Sequence, residues 1–151
     1  MQIAKEKLTE SLIQELYPLL KNHWAEVAHY KDIELDPDWD AYASLQEQGK
    51  YLSVIARDEF GQVAGYMGIA TGPNAHYKNT MMGMVDVIYL SLPNRRGTTA
   101  AKLIRYAEEL AEVDILHFHV KIQNDFSPLL ERMGYEKVEY LLSKRLDSGS
   151  N

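Results

Sequence analysis

Three groups of residues have the types and spacing to do chemistry. The first is Pro93-Asn94-Arg95-Arg96-Gly97-Thr98-Thr99-Ala100-Ala101-Lys102-Leu103-Ile104-Arg105. It follows the apolar run Val85-Asp86-Val87-Ile88-Tyr89-Leu90-Ser91-Leu92 and opens an alanine-rich amphipathic segment. A strand, a tight basic turn of small residues and then a helix form an anion-binding arrangement. The N–H groups that open a helix have no partners within it and carry the positive end of its dipole. Arg95 and Arg96 supply charge, and the amides of Gly97, Thr98, Thr99, Ala100 and Ala101 supply direction. The plainer alternative is an ordinary strand–turn–helix with solvated arginines.

The second group is Ile115-Leu116-His117-Phe118-His119-Val120-Lys121. Strand alternation places His117, His119 and Lys121 on one face. A strand inside an α/β sheet usually reads apolar on both sides, so two histidines on one face point to a polar cleft. Either histidine suits a general base or proton shuttle near neutral pH. The pair also suits a metal, but no third ligand is evident nearby, and two hydrogen-bonded structural histidines are the alternative. The third group is Asp86, an acid in an otherwise apolar strand. A buried carboxylate needs a partner or a cleft. It would orient a histidine, receive a substrate ammonium, or bond a loop amide. In a regular strand Tyr89 and Ser91 share the face opposite Asp86, and a bulge shifts that register by one.

The elements that must position these groups follow from periodicity. Residues 2–7 read as a short edge strand. Thr9 or Ser11 caps a helix carrying Leu12, Ile13, Leu16, Leu19, Leu20, Trp24 and Val27, which Pro18 should kink or split. Asp36-Pro37 starts a second helix that runs to about Gln48 and ends at Gly49. Residues 51–57 and 63–70 flank Asp58-Glu59-Phe60-Gly61-Gln62 as a hairpin. A polar loop near residues 72–79 leads to the strand ending at Leu92. A helix over 98–112 places Ala100, Leu103, Ile104, Ala107, Leu110 and Ala111 on one face. A strand over 115–122, a short helix starting at Asn124 or Ser127 and ending before Gly134, and a last strand over 135–146 complete the chain. The strand–helix–strand unit around residues 85–122 implies a parallel pair with a right-handed crossover.

Composition narrows the function classes. The chain has 151 residues, 46% hydrophobic and 25% charged, which suits one domain with a real core. We read residues 1–147 as that domain and 148–151 as a disordered tail. The net charge of −6 disfavours a general nucleic-acid binder and mildly favours a small cation or basic peptide as substrate. With no cysteine, disulfides, thiolate catalysis and thiolate metal sites are excluded. There is no signal-peptide pattern and no apolar run of about 18 residues that would span a membrane. The expectation is a soluble cytoplasmic protein.

The order of elements around the basic turn resembles the GNAT superfamily of acyl-CoA-dependent N-acyltransferases. In that superfamily a strand ends near a proline, and an Arg-x-x-Gly-x-Gly/Ala turn binds the CoA pyrophosphate through backbone amides. The matching residues here are Arg96-Gly97-Thr98-Thr99-Ala100-Ala101. A second segment of the pattern is Asn, a short helix, then Gly-Phe/Tyr. It matches Asn124-Asp125-Phe126-Ser127-Pro128-Leu129-Leu130-Glu131-Arg132-Met133-Gly134-Tyr135. The segment from His23-Trp24-Ala25-Glu26 through Tyr30-Lys31-Asp32 and Asp36-Pro37-Asp38-Trp39 to Tyr42 is similar to a group of these proteins common in bacteriophages. For a phage-encoded chain the compartment would be the host cytoplasm.

The resemblance covers nearly the whole chain. It implies an α/β (α+β) fold with a mixed central sheet of six to seven strands and about four helices. It implies acetyl-CoA, or another acyl-CoA, as co-substrate without a metal, and an amine acceptor that attacks the thioester directly in a ternary complex. The acceptor would be a small amine, a protein lysine or N-terminus, or a modified nucleobase. No membrane partner is expected, and a homodimer is compatible with the reading. Tyr89, Leu90, Ser91 and Leu92 would offer backbone to the pantetheine arm. Asn124 would contact that arm or else cap a helix. Phe126 would pack on the co-substrate or else serve the core. Trp24, Tyr30, Trp39 and Tyr42 lie where such proteins often build the acceptor site, although aromatics at helical spacing are more often core. His23, His29 and His76 carry no clear signal.

Acyl transfer requires the amine to lose a proton, the oxyanion to be stabilised and the thiolate to be protonated. His119 or His117, supported by Asp86, are the expected proton carriers. The sequence departs from the pattern twice. Thr99 replaces the first glycine of the turn, keeping its N–H and adding a hydroxyl. Leu130 stands where the frequent general-acid tyrosine would be. Both departures keep open a degenerate member that binds CoA in a regulatory or inhibitory role without turnover. An unrelated α+β module holding another phosphate is the remaining alternative.

Overall fold

The computed structural model describes residues 1–147. The expected tail at 148–151 lies outside the described residues. Among the described residues five strands form one sheet in the order β1-β2-β3-β4-β5: β1 Gln2–Lys5, β2 Tyr51–Arg57, β3 Val63–Asn74, β4 Tyr77–Leu90 and β5 Ile115–His117. Pairing is antiparallel from β1 to β4 and parallel between β4 and β5. The helices are α1 Glu10–Val27, α2 Trp39–Glu47, α3 Thr99–Leu110 and α4 Ser127–Arg132.

Strand alternation sends two sets of side chains to opposite faces of the sheet. Leu52, Val54, Met67, Ile69, Val85 and Leu90 meet Leu103, Ile104 and Ala107 of α3 and Leu130 of α4. Ile55, Tyr66 and Tyr89 meet Leu12 and Leu16 of α1. The sheet is therefore the middle of three layers. Leu130 is only 4% exposed, so the residue in the expected tyrosine's place belongs to the core.

Most of the predicted elements form, with local differences. The Thr9 side chain accepts the Leu12 N–H at 3.1 Å and caps α1. Pro18 does not split that helix, which runs unbroken for 18 residues. Both Pro18 and Gln14, whose carbonyl loses its N–H partner, are exposed, so water replaces the missing bond. Residues 72–79 form no loop. Thr71, Gly72 and Pro73 pair with Gly83, Met82 and Met81, and the chain reverses between Asn74 and Tyr77, where the Asn74 side chain accepts the His76 N–H at 2.8 Å. The polar residues that suggested a loop stand on an exposed two-stranded ribbon.

The sheet is smaller than the expected six to seven strands for two linked reasons. The strand expected over 115–122 pairs with β4 only through His117. An extra residue in β4, described below, bends it away just beyond that point. Such a short edge offers almost no ladder for the last strand expected over 135–146. That segment runs without strand pairing among the described residues. The Tyr135 hydroxyl bonds Glu108 at 2.6 Å near its start, and Arg145 meets Asp32 at 2.6 Å near its end. No described helix is long and apolar enough to cross a membrane.

Candidate active site

Asp86 owes its position to a β-bulge. Ile69 pairs with Val85 while its neighbour Gly68 pairs with Val87, leaving Asp86 as the extra residue. Val85 packs toward α3, whereas Val87 and Tyr89 pack toward α1. Asp86 and Val87 line the same cavity. Tyr89 therefore lies on the Asp86 side of the sheet, contrary to the regular-strand reading and as a bulge requires.

Two phenols fix the carboxylate. The Tyr42 hydroxyl donates to Asp86 Oδ2 at 2.8 Å and the Tyr51 hydroxyl donates to the same oxygen at 2.9 Å. Burial, and then the adjacent carboxylate, push both phenols well above their ordinary values, so they remain protonated donors. Asp86 Oδ1 has no hydrogen-bond partner among the described residues. Nor does any hydrogen bond join Asp86 to His117 or His119, so the expected carboxylate–histidine pair does not form. His117 stands in β5 opposite Met84, and His119 lies exposed beyond the end of the ladder.

Tyr51 reaches Asp86 by lying across Gly68. A Cβ at position 68 would come within 2.7 Å of the Tyr51 Cζ and closer still to its hydroxyl. Gly68→Ala is expected to cost about 1–3 kcal/mol in urea unfolding, because it overpacks a buried contact. It should also lower activity by moving a phenol off Asp86. Unchanged unfolding and activity would show that Tyr51 has another place to go.

The cavity around Asp86 lies between the sheet, α1 and the segment entering α2. Trp39, Tyr42, Tyr51 and Tyr66 give it aromatic walls, and Leu16, Leu20 and Leu35 give it aliphatic ones. Of the four N-terminal aromatics singled out, Trp39 and Tyr42 reach this cavity. Trp24 packs under Lys31 instead, and Tyr30 bonds Ser143 at 2.7 Å.

The basic turn lies at the C-terminal end of the same strand. Leu92–Asn94 form one 3-10 turn, Gly97 takes φ +73°, and α3 begins at Thr99. The positive φ suits glycine and points the chain into the helix. The Thr98 side chain does not cap α3. Among the described residues the amides of Gly97, Thr98, Thr99, Ala100 and Ala101 donate to no protein acceptor; the first bond back into the turn runs from Lys102 to Thr98 at 3.0 Å. Arg96 is exposed and has no ion-pair partner among the described residues. These groups form an open cradle for an anion.

Arg95 behaves differently. Its Nε donates to the Leu90 carbonyl at 2.7 Å, and its two terminal nitrogens grip Glu26 at 2.7 Å each. Its guanidinium lies 5.2 Å from the Tyr89 ring centre. The guanidinium holds the Glu26 carboxyl below its ordinary range. Asn124 joins the same carboxylate at 3.2 Å and does not cap α4, where the Asp125 side chain accepts the Ser127 N–H. Arg95 and Asn124 thus brace α1 against the turn through Glu26. Tyr89, Ser91 and Leu92 line a shallow hollow beside that brace. The neighbouring Leu90 is buried, and Phe126 packs against the core, edge-on to Phe118.

His23, which gave no signal in the sequence, lies between the two sites. Its Nδ1 is 2.8 Å from the Tyr66 hydroxyl, and its ring stacks on Tyr89 at 4.9 Å. Burial lowers its pKa from 6.5 to about 4, so the ring is neutral near pH 7. The unfolded chain therefore binds the extra proton between those values. The contribution to stability is complete above pH 6.5 and is lost as the pH falls to about 4, an effect on the order of 3 kcal/mol. Urea unfolding at pH 7.5 and 4.5 should show a smaller acid loss for His23→Gln than for the unaltered protein. Equal losses would place the acid sensitivity elsewhere. Helical spacing put His23 on α1, but only the packed sheet shows what it touches.

No protein-family profile matches the chain, and no curated protein sequence matches it. Solved structures do. The ribosomal-protein-alanine N-acetyltransferase of Brucella melitensis is similar at TM-score 0.68 and 21% identity, over 97% of this chain and 100% of that one. Glucosamine-6-phosphate N-acetyltransferase of Arabidopsis thaliana is similar at TM-score 0.70 and 12% identity, over 97% and 100%. A Clostridium acetobutylicum protein described as a predicted acetyltransferase, crystallised with acetyl-CoA, is similar at TM-score 0.64 and 16% identity, over 95% and 96%. The chain therefore has the fold of these acetyltransferases, the GNAT fold. At these identities the likeness is one of architecture.

Proposed function

We propose that this protein is an acetyl-CoA-dependent N-acetyltransferase. One observation carries the reading: a single strand, β4, holds a carboxylate on a bulge facing a cavity and ends in a turn of partnerless amides. In this reading the amides of Gly97 to Ala101, with Arg96, take the pyrophosphate of the CoA moiety. The pantetheine arm follows Tyr89 to Leu92 toward Asp86. The grouping with bacteriophage-type members rests on the N-terminal residues quoted above.

Asp86 would hold the acceptor ammonium and take its proton. An alkylammonium has a pKa of about 10, so deprotonation must precede attack. The freed amine forms a bond to the thioester carbonyl carbon, and the C–S bond then breaks. The products are an N-acetyl amine, a CoA thiol and one proton released to water. Leu130 offers no acid, so the thiolate takes its proton from water. His117, at the end of β5, and His119, just beyond it, would carry protons between the cleft and solvent. Proximity accounts for much of the rate, because the thioester is already activated.

Calorimetry with acetyl-CoA, CoA and ATP tests this reading. Acetyl-CoA and CoA should each bind with one-to-one stoichiometry and ATP far more weakly. Absence of acetyl-CoA binding would overturn the proposal. Binding without turnover across a panel of amines would leave a CoA-binding protein.

A further inference from the structure

The cavity around Asp86 has a chemical signature that narrows the acceptor. Among the described residues Asp86 is the only charged one that lines it. The other polar side chains are neutral: Ser53, the indole of Trp39 and the phenols of Tyr42, Tyr51 and Tyr66. Both phenolic bonds to the carboxylate fall on Oδ2, which leaves Oδ1 able to accept from an ammonium. Aromatic faces beside it suit the same cation. Away from Asp86 the walls are Leu8, Leu16, Leu20, Leu35 and Pro37.

We propose that this cavity takes a small primary monoamine with an apolar alkyl or arylalkyl group. The inference rests on the N-acetyltransferase reading and names its acceptor class. No lining residue offers a cation for a carboxylate or phosphate, so amino acids and amino-sugar phosphates would bury an unpaired anion. No second acid is present for a diamine or polyamine, whose far ammonium would lie against leucine. The cavity opens to solvent and has a volume of about 110 Å³. A dry cavity of roughly 150 Å³ holds benzene, so an apolar part of about four to six carbons fits inside. A protein N-terminus or lysine brings flanking peptide groups into walls that are mostly apolar.

The test compares 3-methylbutylamine with 1,4-diaminobutane, norleucine and an alanine tripeptide, using the full chain and acetyl-CoA. The monoamine should exceed each of the others by at least about tenfold in kcat/KM, the effect of leaving one polar or charged group poorly paired. Equal or reversed preference would overturn the proposal. Leu35→Asp supplies the missing second acid and should shift the ratio toward 1,4-diaminobutane by about tenfold; no shift would also count against the proposal. Thermal shift with the amines alone and calorimetry with acetyl-CoA keep the two readings separable. Failure to bind acetyl-CoA defeats the enzyme reading. In its absence, stabilisation by 3-methylbutylamine but not by the diamine or norleucine supports the cavity assignment, and the reverse order defeats it.

Discussion

Asp86→Asn is expected to lower kcat/KM about 100- to 1000-fold while leaving the fold in place. Loss of a positioned general base accounts for effects of that size. The asparagine oxygen still accepts from Tyr42 and Tyr51, which now donate to Oδ2. The melting temperature should therefore move by no more than about 3 °C. Affinity for acetyl-CoA should not change, because the amides that would hold it come after β4, at residues 97–101, and do not touch Asp86. Residual turnover should rise about tenfold per pH unit toward the amine's own pKa near 10, as free amine replaces ammonium. Unchanged turnover at pH 7.5 would remove Asp86 from the chemistry. A large fall in melting temperature would mark it as a structural anchor for the two phenols.

Thr99→Glu should move stability and binding in opposite directions. Position 99 opens α3, where the amides of residues 97–101 point at no protein acceptor. A carboxylate there satisfies the helix dipole and should add roughly 0.3–1 kcal/mol of stability. The same carboxylate competes with a pyrophosphate for those amides and repels it. Affinity for acetyl-CoA should fall about 100-fold, which is about 2.7 kcal/mol. Added salt should recover part of the loss, because the turn is exposed and its charges are screened. Thr99→Ser, which keeps both amide and hydroxyl, should bind normally. A glutamate variant that binds acetyl-CoA as tightly as the unaltered chain would move the pyrophosphate elsewhere.

The turn proposed to hold the co-substrate was legible in the sequence because it is local. Arg96 to Ala101 are contiguous, and a turn that opens a helix leaves its amides unpaired wherever the helix packs. The same locality made α1, α2, α3 and the hairpin of β2 and β3 readable from capping residues and periodicity. Arg95 reads like Arg96 in the sequence, yet it grips Glu26, 69 positions earlier. No spacing rule connects the two residues.

The acceptor side was only half legible. Asp86 stood out as an acid in an apolar strand, but its expected partner was a histidine of the next strand, His117 or His119. Its actual partners, Tyr42 and Tyr51, come from α2 and from β2 on the far side of β3. They meet because one extra residue in β4 turns Asp86 toward the cavity and because Gly68 leaves room for a phenol. His23 remained silent because a lone histidine on a helix face has no signature until its neighbours are known.

By itself, then, the sequence determined most of the order of elements, the helix faces and the basic turn that opens α3, all set by interactions between residues a few positions apart. Tertiary structure alone decided the strand count, the register at Asp86, the partners of the two arginines and the chemistry of the cavity walls. Those depend on pairing and packing between residues 35–69 positions apart, where a shift of one residue exchanges the two faces of a strand.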